Sequence, residues 1–128
     1  MSIIVTDSGF GPDTWPNTST NHAALDLPSD TDPQTVVGNL SGVQMIRVDF
    51  PTSADGRGFT IARQLRLHGF KGRLRARGHV LADQYAMARR AGFDEVEIDE
   101  ALAARQPERQ WLFRANWREN DYQSRLRG

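Results

Sequence analysis

The 128-residue sequence contains no cysteine. This absence excludes disulfides, thiolate metal sites, iron–sulfur clusters held by this chain and a cysteine nucleophile. No apolar run approaches the roughly 20 residues that a membrane-spanning helix needs. The N-terminus has no basic segment followed by an apolar one, so it does not match a secretory signal, and we expect a cytoplasmic protein.

The sequence also lacks an excess of either charge, because 16 basic and 16 acidic residues give a formal net charge of zero. This balance provides no general attraction to nucleic acid or to an anionic membrane surface. One basic run, RLRAR at 73–77, has no interleaved aromatic residues and is interpreted as a single strand. We therefore predict neither a nucleic acid nor a membrane as a partner.

Common catalytic and cofactor motifs are absent as well. The sequence has no GxxxxGK[ST], no GxGxxG after a strand, no HExxH and no serine in a nucleophile elbow. The spacing of Asp49, Asp55 and His79 is not that of a known metal site, so no metal is predicted. The sequence leaves the cofactor unknown.

Alternating strand and helix patterns fill the chain. Its length fits a single α/β domain at 1–128, with an N-terminal arm at 1–22, a core at 43–98 and a polar C-terminal tail at 117–128. Strands are predicted at 3–5, 23–27, 43–50, 73–77 and 95–98. Helices are predicted at 33–40, 58–68, 80–91 and 100–105, with a last one opened by Pro107. This order predicts four or so parallel βα units with right-handed crossovers.

The predicted strands alternate apolar and charged residues, as when Ile46 and Val48 alternate with Arg47 and Asp49. A strand with this period of two has one apolar and one charged face, whereas strands of a doubly wound sheet are apolar on both. The charged face would gather Asp26, Arg47, Asp49, Arg75, Arg77, Glu95 and Glu97. We therefore predict helices mainly on one face, in an open sheet or, preferably, a half-TIM-barrel-like arrangement. Its open edges would allow a homodimer.

Polar residues cluster in the loops after two predicted strands, where ligands of parallel α/β proteins bind. The candidates for acid–base catalysis are Asp49, Asp55, His79 and Asp83. A second set could bind an anion, because glycines admit a ligand to the backbone and arginines donate paired hydrogen bonds. This ligand-binding set is Gly56, Arg57, Gly58, Arg75, Arg77 and Gln84. We expect the two sets to form one rim at the carboxyl ends of the strands.

These residues also have structural interpretations. Asp55 could cap a helix, and Arg57 could pair with Asp49 or Asp55. His79 could be an ordinary loop residue, and Asp83 could be a favourable charge in the first turn of a helix. The residues alone leave open an enzyme, a binding protein and a structural or partner-binding domain without catalytic activity.

Five short motifs together resemble a known family. They are DFP at 49–51, DGRGFxxAxxLR at 55–66, GFxGxLRA at 69–76, GxVLxDQ at 78–84 and RxGFD at 90–94. In this combination the sequence resembles a family of small bacterial proteins of unknown function. Its members are described as oxidoreductases of sulfite reduction and are typically encoded beside assimilatory sulfite reductase.

The resemblance implies an accessory protein or an oxidoreductase of assimilatory sulfite reduction, with sulfite reductase as a partner. An arginine-rich rim would suit a small oxyanion or a phosphate-bearing cofactor. The family commonly has an aspartate where this chain has His79 and a basic residue where it has Ala82. This chain therefore departs from the family pattern at a candidate catalytic position.

Overall fold

A computed structural model of the chain describes residues 2–13, 24–40 and 42–115. In this part of the chain six strands form one sheet, and they are β1 (Ser2–Thr6), β2 (Gly9–Gly11), β3 (Ala24–Leu27), β4 (Met45–Phe50), β5 (Arg73–Gly78) and β6 (Glu95–Asp99). The α-helices are α1 (Arg57–Leu67), α2 (Tyr85–Ala91), α3 (Glu100–Arg105) and α4 (Glu108–Leu112). None of these helices is long and apolar enough to cross a membrane.

The strands lie in the order β2-β1-β6-β5-β4-β3. Strands β3 to β6 are parallel neighbours in chain order, which confirms the α/β class with a mostly parallel sheet. β1 is antiparallel to β6 and β2, so the prediction of a parallel first strand was wrong. No helix follows β1 to make a parallel crossover, because a two-residue turn at Asp7 and Ser8 returns the chain directly into β2. The half-TIM-barrel-like arrangement stays a prediction.

One apolar core joins the sheet to the helices. Alternate strand residues such as Ile46, Val48 and Leu74 are fully buried in it. Each α-helix adds residues to the same cluster, including Leu65 from α1 and Trp111 from α4. The described helices therefore pack on the apolar face of the sheet, and the charged residues of the strands lie on the opposite face.

The segment between β3 and β4 differs from the predicted helix at 33–40. It forms two 3-10 turns, Pro33–Thr35 and Val37–Asn39. The N-terminal part matches the expectation, because Asp32 Oδ1 accepts a hydrogen bond from the Gln34 backbone N–H at 3.0 Å. The β-branched valines and Gly38 disfavour an α-helix here. The predicted tail at 117–128 and the part of the predicted arm at 14–22 lie outside the described residues.

The β1–β2 hairpin is attached to two helices. The buried Tyr85 hydroxyl on α2 donates to Asp7 Oδ1 at 2.6 Å. Burial, together with this hydrogen bond to Asp7, raises the pKa of Tyr85. On the other side of the hairpin, the Phe10 backbone N–H donates to Glu108 Oε2 at 2.8 Å. These contacts hold the antiparallel edge of the sheet against α2 and α4.

The charged face contains a fully buried arginine. Arg75 donates to Glu95 at 2.5 Å, to Glu97 at 2.7 Å and to Asp13 at 2.9 Å. Burial lowers the pKa of Arg75, but the hydrogen bonds to Asp13 and Glu97 and the charge of Glu95 outweigh it, so the net shift is upward. Arg73 adds a second pair with Glu95. Arg75, a predicted ligand-binding residue, is therefore occupied in a structural ion cluster.

Replacing Arg75 tests how much this cluster stabilises the sheet. We expect Arg75→Ala to lose about 3 kcal/mol of unfolding free energy, because Glu95 and Glu97 keep their charges but lose a shared buried donor. Urea denaturation followed by circular dichroism measures the loss. The control is Arg47→Ala on the same face, since its partner Asp26 is half exposed and the pair should contribute less than about 1 kcal/mol. Equal losses in the two variants would contradict this interpretation.

Candidate functional site

Asp55, in the loop between β4 and α1, forms an ion pair with Arg57, the first residue of α1. Arg57 donates from Nε and Nη2 to the two carboxylate oxygens of Asp55, at 3.0 and 2.8 Å, and its backbone N–H donates to the same side chain. Arg57 Nη2 also reaches the hydroxyl of Ser29 at 3.1 Å. The Arg57 guanidinium holds the pKa of Asp55 well below its usual range. The structure thus brings together two predicted site residues, but as partners of each other.

The two glycines of this loop differ in their surroundings. A Cβ added to Gly58 would lie 2.5 Å from the ring of Phe50. That ring is buried and packs against Phe59 and Phe93, so it has no room to move. A Cβ added to Gly56 would meet nothing within 4 Å. Gly58 therefore permits α1 to pack closely on β4, which is a structural reason for a glycine at this position.

Asp49 and Arg77 form a pair on the charged face of the sheet. Arg77 donates from Nε and Nη2 to Asp49 Oδ1, at 3.0 and 2.8 Å. Burial lowers the pKa of Arg77, but the hydrogen bonds that Arg77 donates to Asp49 and the charges of Asp49, Asp26 and Glu97 together outweigh it, so the net shift is upward. Asp55 and Arg57 lie at the start of α1, which packs on the opposite face. The predicted rim is therefore divided between the two sides of the sheet.

Two more predicted site residues make structural contacts. Gln84 Oε1 accepts from the Leu81 backbone N–H at 2.9 Å, and Gln84 Nε2 donates to the Ser53 carbonyl at 2.8 Å. This amide joins the loop after β4 to the turn after β5. Asp83 is 84% exposed and accepts from Arg114 Nη2 at 3.1 Å. Asp83 therefore lies on the surface, paired with an arginine.

His79 has a different environment from the other candidates. It follows Gly78, whose φ of 121° places it in the left-handed region, and the His79 backbone N–H donates to the Phe50 carbonyl at 2.9 Å. The His79 side chain is exposed and has no hydrogen bond to any described residue. It lines two neighbouring cavities at the carboxyl ends of β5 and β6.

The larger of these cavities, here named the rim cavity, has a volume of about 380 Å³. Its lining residues are Ser53, His79, Leu81, Leu102, Arg105 and Gln106. None of these residues is acidic. Arg105, at the end of α3, makes no ion pair within the described part of the chain. Arg105 and Ser53 are not among the site residues predicted from the sequence, in which their only signal is that both follow the carboxyl end of a predicted strand.

The smaller cavity, of about 180 Å³, adjoins the rim cavity through His79 and Leu102. Arg77 lines it, so among the predicted site residues the structure places Arg77 and His79 together. Arg57 instead lines a separate cavity of about 280 Å³ beside Ser29. Within the described residues, no group of three side chains with metal-ligating chemistry occurs.

Several motif residues meet at the opposite end of the sheet. Arg66 on α1 donates to the carbonyls of Gly92, Phe70 and Gly72 at 2.9 to 3.0 Å, and to Asp94 Oδ2 at 2.9 Å. This cluster, here named the arginine knot, joins three of the motifs noted in the sequence. It lies beside the amino ends of β5 and β6, where it closes the turns that lead into these strands. This part of the signature therefore has a structural explanation.

The two glycines of the DGRG loop provide a matched test. We expect Gly58→Ala to lose about 2 kcal/mol of unfolding free energy, because the added methyl group overpacks against Phe50. Gly56→Ala should change stability by less than about 0.5 kcal/mol, because the added methyl group faces open space. Thermal unfolding of both variants measures the two changes in stability. A destabilised Gly56→Ala variant beside a stable Gly58→Ala variant would refute the packing explanation.

The arginine knot can be tested with a charge-preserving substitution. We expect Arg66→Lys to lose about 2 to 3 kcal/mol, because a single ammonium group cannot reach four separated acceptors and leaves carbonyls unpaired. Arg63→Lys on the exposed side of the same helix is the control and should stay within about 0.5 kcal/mol of the parent. Chemical denaturation measures both changes, and similar stabilities of the two variants would contradict the proposed role.

The comparisons with known proteins agree with the motif analysis at the level of the family. The family model described as a bacterial protein of unknown function (DUF934) matches residues 24–127. The match begins with β3 and includes all four described α-helices, whereas the β1–β2 hairpin lies outside it. No curated protein and no solved structure matches the chain.

Proposed function

The chain belongs to the bacterial family of unknown function DUF934, within which we propose that it is an accessory binding protein of assimilatory sulfite reduction. Sulfite reductase would be its partner. The pathway is inferred from the five motifs between Asp49 and Asp94. The choice of a binding role over a catalytic one is inferred from the side-chain geometry.

The observation that carries this choice is the pairing of the candidate carboxylates. Asp49, Asp55 and Asp83 each accept hydrogen bonds from an arginine. A general base needs access to the substrate proton and a pKa near the working pH. The lowered pKa of Asp55 makes it a weak base. His79 is the one predicted catalytic residue without such a partner in the described structure. The rim cavity beside it contains no carboxylate, and the two carboxylates of the adjoining smaller cavity, Glu97 and Asp99, accept hydrogen bonds from Arg75 and from the Leu102 backbone N–H.

A partner-binding domain that acts without a ligand is the second candidate. It is favoured by two adjacent apolar residues at the end of α4, Leu112 and Phe113, which are 42% and 73% exposed. Large apolar side chains that remain in water are common at protein–protein contacts. In either candidate function the chain would act through the proteins or molecules that it binds.

Deletion of the gene from a bacterium that encodes this protein tests the pathway. We expect slower growth with sulfate or sulfite as the sole sulfur source and normal growth with cysteine, because only the first condition requires sulfite reduction. Growth rates and sulfite reductase activity in lysates measure the effect. Unimpaired growth of the deletion strain on sulfate, with normal reductase activity, would overturn the pathway assignment.

Complementation of this strain separates the binding role from a catalytic one. We expect Asp83→Asn and Asp49→Asn to restore growth, because neither carboxylate transfers a proton in the proposed function. The level of folded protein in each strain is the control. If folded Asp49→Asn protein fails to restore growth, a catalytic role for this carboxylate is favoured instead.

Co-purification tests the second candidate, a partner-binding domain. The amount of reductase that co-purifies with the Phe113→Ser variant is compared with the amount that co-purifies with the parent protein.

A further inference from the structure

We propose that the rim cavity binds an oxyanion group through Arg105, His79 and Ser53. The inference deepens the proposed function and rests on it for the biological setting, but the binding chemistry rests on the cavity alone. The ligand group is one that accepts several hydrogen bonds and carries negative charge, such as a sulfur or phosphorus oxyanion.

The lining of the rim cavity is positively charged. Arg105 contributes a permanent positive charge, and no lining residue carries a negative one. Arg77 and Arg57, which line two other cavities, each donate to an aspartate. Arg105 makes no ion pair in the described part of the chain, so its guanidinium keeps its donors for a ligand.

Three residues with hydrogen-bond donors line the rim cavity. The Arg105 guanidinium, the His79 ring and the Ser53 hydroxyl come from three different segments, which follow β6, β5 and β4. Ligands of parallel α/β proteins bind beyond the carboxyl ends of the strands, and the cavity lies there. Three donors that approach from separate segments can surround one oxyanion group, which a single segment cannot do.

Hydrogen bonds fix the segments around the rim cavity. The Ser53 carbonyl accepts from Gln84, and the His79 backbone N–H donates to Phe50. Gln106 Oε1 accepts from the Ala82 backbone N–H at 2.6 Å. A site whose walls are already held in place loses little conformational entropy when a ligand binds.

The volume of the rim cavity and its apolar lining residues limit the kinds of ligand that it can bind. A volume of about 380 Å³ lies in the range of sites for small organic molecules and exceeds the need of one oxyanion. Leu81 and Leu102 provide an apolar wall beside the charged one. The oxyanion group could therefore be a free inorganic ion or the head of a small organic molecule whose apolar part contacts these leucines. The shared chemistry is the oxyanion group, and the experiment distinguishes the two sources.

Calorimetric titration of the full chain with sulfite, sulfate, inorganic phosphate and phenyl phosphate tests the proposal. We expect at least one probe to bind, and Arg105→Gln to weaken its binding by about tenfold or more, because a charge-assisted pair of hydrogen bonds is lost. Arg109→Gln, on the exposed surface of α4, is the matched control and should bind as the parent does. Tighter binding of phenyl phosphate than of the three inorganic ions identifies an organic ligand, and the reverse order identifies a free ion.

Amide chemical shifts locate the bound probe. We expect shifts at Ser53, His79, Leu102 and Gln106, and Ser53→Ala, which removes one donor without a large change of shape, should weaken binding severalfold. The proposal is overturned if no probe binds the parent protein. It is equally overturned if Arg105→Gln and Arg109→Gln weaken binding to the same extent.

The failure of this inference and the failure of the proposed function are separable. If the deletion strain needs reduced sulfur but the purified protein binds none of the four probes, the oxyanion site is wrong and the accessory role stands. If the protein binds a probe through Arg105 but the deletion strain grows normally on sulfate, the site stands and the pathway is wrong.

Discussion

The charged face of the sheet is stable because its arginines and carboxylates lie in matching register on neighbouring strands. Two rows cross the sheet, Asp26–Arg47–Arg75–Glu95 and Asp49–Arg77–Glu97. Each row ends in a carboxylate on both sides, so every arginine has a partner of opposite charge. A shift of one strand by one residue would turn arginines into the apolar core, where an unpaired charge is costly. Pairing across the strands thus fixes the register that the apolar face also requires.

The pairing of charges across the strands determines which polar residues remain available to bind a ligand. Asp49, Arg75 and Arg77 belong to the rows, and each is paired with side chains of opposite charge. Side chains beyond the last strand residues are not bound by the same register. His79 and Arg105 lie there, in the turn after β5 and at the end of α3. A candidate site therefore arises at the margin of the ion-pair network, where Arg105 makes no ion pair with any residue that the structure describes.

Features with a local cause could be predicted from the sequence. The period of two in β4 to β6 predicted the two faces. The helices predicted at 58–68 and 80–91 stop before Gly69 and Gly92, and both glycines have a positive φ. Features with a nonlocal cause could not be predicted. The antiparallel direction of β1 depends on pairing with β6, the last strand in the sequence. Arg105 lines the rim cavity only because α3 turns back after β6. The periodicity of the sequence does not predict which side chains this turn brings to the cavity.

The family motifs lie at both ends of the sheet, and their residues have a different role at each end. The arginine knot around Arg66 closes the amino ends of β5 and β6, so its residues are required for the fold whatever the protein binds. The motif that contains His79 lies at the carboxyl ends, beside the rim cavity. Many relatives are expected to have an aspartate at this position, as the resemblance implies. An aspartate there would add a negative charge beside Arg105 and compete for its guanidinium. Oxyanion binding should therefore depend on the residue at position 79, while the arginine knot should not.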